Sequence, residues 1–401
     1  MTAHGTVLVI NCGSSSVKFA VFANDASLRR LWSGRIERIG LAVSRFVAVD
    51  ASGARVVEEC DAMADHGQAL EFLFGKLDRN TFAALPVAVG HRVVHGGADC
   101  DCPLIVTSSL EARLRALEPL APLHMPHNLA GIAAVKKIRV GIPQVACFDT
   151  AFHLDLPRLA RLTGLPRRFY EQGIRRYGFH GLSYEYVIEE LRAREGDAAA
   201  HGRVIVAHLG NGASMAAIRD GHSVETSMGF STLAGLPMGT RSGDLDPGIV
   251  LYLITREGMT PDQVQDLLYR RSGLLGLSGI SRNMRELLAQ SAEQAPAAEA
   301  VAFFCYRARA QLAALTAALG GLDRLVFTGG IGANAPHIRA EICKGLGYLG
   351  ITLDAARNAD GRRSISAPHA AVVIEAFPTD EELMIARHVQ RVLERPALRE
   401  A

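Results

Sequence analysis

What this 401-residue chain lacks narrows it first. Neither charge is in excess: 43 Lys and Arg stand against 41 Asp and Glu, a net charge of +2. No broad basic field exists to hold nucleic acid or anionic lipid, so an anionic partner must be met locally. Long uncharged apolar runs are missing too. The most apolar stretch, Ala297 to Leu319, is interrupted by Glu299, Arg307 and Arg309, whereas a membrane span needs about 20 largely uncharged residues; it reads as a buried amphipathic helix. Met1 to Gly5 carries no basic segment, and the apolar run Val7 to Ile10 is too short for a signal peptide. The seven cysteines (Cys12, Cys60, Cys100, Cys102, Cys147, Cys305, Cys343) form no CxxC pair. An odd, unpatterned set in a long chain predicts reduced thiols and a cytoplasmic location. Neither GxxxxGK[ST] nor HExxH occurs, which removes the Walker loop and the commonest zinc-hydrolase signature. Lysine is confined to Lys18, Lys76, Lys136, Lys137 and Lys344.

What is present is ordinary globular material, 49% hydrophobic and 21% charged, enough for a sizeable core. Length predicts two or three domains. Short β-branched runs alternate with helical patterns throughout, which predicts α/β layers. Strands are expected at Val7–Ile10, Val17–Phe22, Val87–Val89, Gln144–Phe148, Val204–His208, Ser214–Ile218, Leu325–Phe327 and Val372–Ile374. Helices are expected at Leu110–Leu117, His127–Ile138, Tyr184–Arg194, Gly248–Thr255, Pro261–Arg271, Ala297–Leu319 and Glu381–Leu393. VLVINCGSSSVKFAV from Val7 and VIVAHLGNGASMAAI from Val204 align without a gap. The pair reads either as a duplication giving two similar domains facing each other across a cleft or as two hairpins alike through their glycine turns. A boundary is placed after Asp149, where a strand ends.

Five segments could carry chemistry. Asn11 to Lys18 is a turn of small residues whose amides and hydroxyls suit a phosphate, with a polar hairpin tip as the alternative. Leu209-Gly210-Asn211-Gly212-Ala213-Ser214, entered from His208, is a second such turn, though Asn-Gly is also a common hairpin signal. Leu325 to Asn334 is a strand opening into a Gly-rich turn before a helix near Pro336, without the GxGxxG spacing of dinucleotide sites. Met238 to Gly248 places Arg241 between glycines, with Asp246 as a helix N-cap and Arg241 left free for an oxyanion. Gly90 to Gly97 supplies Arg92 in a similar setting; for either arginine alone a surface ion pair is the alternative. His91, His95, His124, His127, His153, His180 and His208 with Asp149 leave a zinc site as a lesser alternative, and for His127 and His153 a structural role is preferred.

Together VLVINCGSSSVKF, GHRVVHGG, PLHMPHNL, CFDTAFH, RRYGFHG, VAHLGNGAS, GLPMGTRSGDLDPG, FTGGIGANA and TDEELMIAR, in this order along nearly the whole chain, resemble the acetate kinase family within the acetate and sugar kinase, Hsp70 and actin superfamily. The resemblance implies two duplicated ribonuclease-H-like domains, residues 1–149 joined by a C-terminal helix 381–401, and a nucleotide-binding and dimerisation domain 150–380. The implied reaction is reversible, Mg²⁺- or Mn²⁺-dependent transfer of the ATP γ-phosphoryl group to acetate, giving acetyl phosphate and ADP. Propionate or another short-chain acyl acceptor is the alternative, and a non-catalytic actin- or Hsp70-like nucleotide-binding scaffold a further one. The implied partners are these small molecules and a second copy of the chain, with no nucleic acid or membrane.

By motif position, Asn11, Ser14, Ser16 and Lys18 would line the phosphate and metal region, and Arg92 and Arg241 would hold the carboxylate and the phosphoryl group. Asp149 would act near the attacking carboxylate and the metal, Glu381 would help bind the metal, His180 would donate to phosphoryl oxygens, and His124 would support acetyl phosphate. His208, Leu209, Gly210, Asn211 and Gly212 would sit against the nucleotide phosphates, with Asn283, Met284, Arg285, Gly330, Ile331 and Asn334 around the adenosine. Val93, Leu123 and Thr232 would line the acyl pocket. Three departures stand out: Asn283 where an acidic residue is usual, Ala333 where glutamate is common, and Thr232 where a proline often walls the methyl pocket.

Overall fold

Val7–Ile10 and Val17–Phe22, two β-branched runs joined by a turn of small residues, fold as an antiparallel hairpin, β1 (Thr6–Gly13) and β2 (Ser16–Ala23). It nucleates the first of two sheets in the computed structural model, which describes residues 5–78 and 85–394. The meander continues through β3 (Arg30–Glu37), β4 (Val43–Asp50) and β5 (Arg55–Asp61); β6 (Pro86–Val93), β7 (Leu104–Ile105) and β8 (Gln144–Phe148) complete the order β5-β4-β3-β2-β1-β6-β8-β7. The second sheet holds β9 (Arg203–Leu209), β10 (Ala213–Arg219), β11 (His222–Thr226), β12 (Arg324–Thr328) and β13 (Val373–Ala376), ordered β11-β10-β9-β12-β13.

The chain divides into two compact units, one running to Leu154 and resuming at Asp380, the other Asp155–Thr379. The duplication visible in the two hairpin sequences extends to topology. In the first sheet β2 is antiparallel to β1 and β3, while β6 is parallel to β1 and β8. In the second, β10 is antiparallel to β9 and β11, while β12 is parallel to β9 and β13. The same five-strand unit occurs twice, so the chance-hairpin alternative fails.

In the first unit, Leu8, Ile10, Phe19, Val21, Phe46, Leu70, Leu73 and Phe74 form one buried cluster beneath helix His66–Asp78. Burying each such side chain contributes about 1.5–3 kcal/mol. In the second unit the stretch expected as a buried amphipathic helix is helix Ala295–Leu319, with Ala300, Phe304, Ala308, Leu312 and Leu315 buried. Each expected helix is present within a few residues of its expected ends; the last runs Glu381–Glu394, and residues 395–401 of that expectation lie outside the described residues. One local expectation is corrected: Gly329–Asn334 is a short helix rather than an open turn, followed by helix Pro336–Cys343. No helix of the described residues is long and apolar enough to cross a membrane, and all seven cysteines are free thiols.

Candidate active site

Parallel strands β1, β6 and β8 bring Asn11, Arg92 and Asp149 to their carboxyl ends, the edge at which ligands bind in sheets of this kind. Asp149, 2% exposed, accepts from Arg92 Nε at 2.9 Å and from Nη2 at 2.6 Å. Glu381 Oε2 lies 3.6 Å from the same Nε. Glu381 opens helix Glu381–Glu394, which can sit directly on β6 because residue 90 is glycine: a Cβ there would stand 2.5 Å from Ile385 Cγ2 and 2.8 Å from Val389 Cγ2. Gly90 therefore sets the approach that places Glu381 beside Arg92.

The surface-ion-pair alternative for Arg92 does not hold, since its partner is buried. Burial alone would lower the guanidinium's pKa, but Asp149 and Glu381 outweigh it and hold Arg92 above its ordinary value, firmly protonated. Burial pushes the Asp149 carboxyl up, opposed by Arg92 and reinforced by the charge on Glu381. Removing one partner of such a pair costs about 3–5 kcal/mol, because the other charge is left buried and uncompensated.

On the hairpin, Asn11 lies opposite Lys18 and Gly13 opposite Ser16. The two-residue period puts Asn11, Ser16 and Lys18 on one face, while Cys12 and Val17 point into the core. Ser14 stands exposed at the tip. His91 and His95 turn inward. His91 shares a 2.8 Å hydrogen bond with Gln144 Oε1, and burial pushes its pKa down to about 4; His95 Nδ1 accepts from Gly97 N at 2.9 Å. The His127 ring packs tilted against that of His66, with centroids 5.2 Å apart. Among the described residues no group of three or more His, Cys, Asp or Glu is placed to hold a metal ion. Leu123 and His124 are half-buried just before helix Met125–Ile138, and Val93 is fully buried.

In the second unit His180 occupies the N-cap of helix Gly181–Glu195 with φ +61°, a left-handed conformation that is uncommon outside glycine and clusters at functional positions. Its Nδ1 is 2.8 Å from Ser214 Oγ, which also bonds the Tyr184 hydroxyl. His208 Nδ1 is 2.7 Å from Ser183 Oγ, and the two imidazoles stack at 4.4 Å. The pairing is crosswise: Ser214 faces His208 across the β9–β10 ladder but bonds His180, while Ser183 on His180's helix bonds His208. Sequence reasoning missed Ser183 and Tyr184 as site residues. Their signal was spacing alone, three and four residues after His180 on one helix face.

Arg241 is not left free. Its Nη1 donates to Thr232 O at 3.0 Å and reaches Met238 Sδ at 3.4 Å, which ties Thr232 to it. Asp246 caps helix Pro247–Thr255 as expected, accepting from Gly248 N at 2.8 Å.

A cavity of about 630 Å³ in the second unit is lined by Gly210, Asn211, Asn283, Met284, Arg285, Gly330, Ile331 and Asn334, joined by Arg282, Leu288, Ala335, Pro336 and His337. His208, Leu209 and Gly212 are not among its lining residues, and Leu209 is wholly buried, because its side chain points into the core of the β9 layer. Asn283 caps helix Met284–Gln290 by accepting from Arg285 N at 3.0 Å, and its amide faces Glu286 Oε1 at 3.4 Å. Gly239 N donates to Asn211 O at 3.1 Å, so the cavity turn is anchored to the segment that carries Arg241.

Residues 6–387 match the model of the Acetokinase family. An acetate kinase of Rhodopseudomonas palustris is 49% identical over 392 residues, which cover 96% of this chain and 98% of that protein. A propionate kinase of Escherichia fergusonii is 44% identical over 401 residues, 98% of each chain. The crystal structure of Porphyromonas gingivalis acetate kinase has a TM-score of 0.89 at 38% identity, covering 97% of this chain and 100% of that one.

Proposed function

Since the chain belongs to the acetokinase family, we propose that it transfers the γ-phosphoryl group of ATP reversibly to acetate, giving acetyl phosphate and ADP. A bond forms between a carboxylate oxygen and the γ-phosphorus as the bond to the β-phosphate oxygen breaks, and the released charge stays on ADP. Such transfer asks a protein chiefly for alignment and for positive charge on three equatorial oxygens.

The observation that carries this reading is the protonated Arg92 held by Asp149 and Glu381. Asp149 engages Nε and Nη2, which leaves Nη1 for a substrate oxygen. His180, held at Nδ1 by Ser214, donates to the phosphoryl oxygens, and Arg241 adds a second positive group. Neither arginine is needed by an actin- or Hsp70-like scaffold. The second-unit cavity receives the nucleoside, and Asn11, Ser14, Ser16 and Lys18 meet phosphate oxygens.

Asp149 and Glu381 fit a Mg²⁺ ion, which is held by one or two carboxylates with phosphate oxygens and water supplying the rest. When bound, the ion would neutralise charge on the phosphates. Propionate is the second acceptor, favoured by Thr232 in place of a pocket-wall proline. A homodimer is supported by helix Pro247–Thr255, PGIVLYLIT, which buries none of its residues although Ile249, Leu251, Tyr252 and Ile254 are exposed. The reduced thiols agree with a cytoplasmic location. Activity against acetate, propionate and butyrate in parallel tests the reading: acetate should be turned over fastest and propionate detectably, and activity with none of them would overturn it.

A further inference from the structure

The motif PLHMPHNL contains a residue that the reaction does not use, Asn128, on the first turns of helix Met125–Ile138 and only 3% exposed. Its surroundings explain its burial. Strands β1 and β6 pair in parallel only as far as Ile10 and His91. Beyond that point β1 continues to Gly13 against β2, and β6 continues to Val93 against β8, so the two separate at the end that carries Asn11 and Arg92. Separation would leave backbone groups on the facing edges buried without partners, which native structures avoid.

Asn128 fills the gap. Its Nδ2 donates to Cys12 O at 3.1 Å, and its Oδ1 accepts from Val94 N at 3.0 Å. The side-chain amide thus stands in for one peptide unit of the missing ladder, with a donor for one strand and an acceptor for the other. Two neighbours fix the same turn. A Cβ on Gly131, one helical turn later, would lie 2.6 Å from Cys12 Sγ, so the helix rests directly on the end of β1. His66 Nε2 bonds Gly13 O at 2.6 Å.

We propose that Asn128 is a positioning residue that sets the spacing between the Asn11–Ser16 turn and Arg92, by bridging Cys12 and Val94 where their strands part. The inference rests on the proposed roles of that turn and of Arg92. Displacing a catalytic group by about 1 Å can cost on the order of 10²-fold in rate, and the Asn128 amide bonds backbone one residue from Asn11 and two from Arg92.

The test is steady-state kinetics on Asn128→Asp and Asn128→Gln, with ADP affinity and melting temperature measured alongside. Asp keeps the acceptor for Val94 N but turns an oxygen towards Cys12 O; Gln keeps both functions on a longer arm. Each variant should lose about 10- to 100-fold in kcat/KM for acetyl phosphate, with a raised Mg²⁺ requirement, while ADP affinity stays within about twofold. Unchanged kinetics in both variants would overturn the proposal. So would a parallel fall of ADP affinity and acetyl phosphate kinetics in both, or failure of both to fold, because either result makes Asn128 a general folding residue. Arg92→Ala run beside them separates the failures: if it stays active, the site reading itself is wrong, whereas an inactive Arg92→Ala beside fully active Asn128 variants sinks only the positioning role.

Discussion

At the scale of single residues, the site is built from groups that hold one another in place. Arg92 is the clearest case, since its buried carboxylate partner fixes the guanidinium without neutralising its role as a donor. Arg92→Ala and Arg241→Ala should each lower kcat by roughly 10² to 10³, the usual effect of removing one preorganised charge-stabilising donor. His180→Ala should act on turnover and leave ATP affinity nearly unchanged; the reverse pattern would move that residue to nucleotide binding. Thr232 is a narrower question. One methylene in an apolar pocket is worth about 1 to 3 kcal/mol of discrimination, so Thr232→Pro should raise KM for propionate more than for acetate. Equal effects on both acids would show that Thr232 does not set pocket depth. Arg92 and Arg241 were legible because polar groups set among glycines need a reason to be there, whereas His180 and Thr232 stood out only through the resemblance to the family. Ser183, Tyr184 and Asn128 were not legible, because a hydroxyl or an amide inside a helical pattern reads as an ordinary surface or capping residue until its partner on another element is known.

At the scale of elements, β6 carries both a catalytic candidate and a stability switch. His91 is buried with a pKa of about 4, against an ordinary 6.5. Between those values the unfolded chain binds the proton and the folded chain does not, so the contribution of His91 to stability is complete above about 6.5 and is lost as pH falls towards 4. Melting temperature should therefore fall across that window, and His91→Gln should flatten the fall; an identical slope in the variant would assign it to other groups. Helix Glu381–Glu394 supplies the second test. Glu381→Ala should raise the Mg²⁺ concentration needed for half activity, whereas a lowered melting temperature with unchanged metal dependence would make Glu381 an ordinary first-turn carboxylate worth about 0.3 to 1 kcal/mol to the helix. Core strands were readable as β-branched runs. Strands β3, β4 and β5 were not: RLWSGRIE, VSRFVAVD and RVVEECD mix charges with apolar residues, and β5 alternates exposed and half-buried positions along its length.

At the scale of the whole molecule, two gapless hairpin sequences half the chain apart were the trace of a duplication that the sheets carry through five strands each. The parallel partners β6, β8, β12 and β13 were each found as runs, but their order could not be read, because parallel pairing joins segments far apart in sequence. The exposed apolar helix Pro247–Thr255 was legible as a helix and not as a surface, since burial depends on what packs against it. Leu251→Asp with Tyr252→Glu should convert a dimer to a monomer in sedimentation, and a parent chain that is already monomeric would remove the homodimer. The most direct test of the central claim is trapping with hydroxylamine: the parent protein is incubated with ATP, Mg²⁺ and acetate, and the acyl hydroxamate is measured against ADP. Acetyl hydroxamate should form in proportion to ADP and only with acetate present, and it should fall by the same roughly 10² to 10³ in Arg92→Ala. ADP release without hydroxamate, independent of acetate, would contradict a carboxylate acceptor and leave a nucleotide-hydrolysing scaffold in its place.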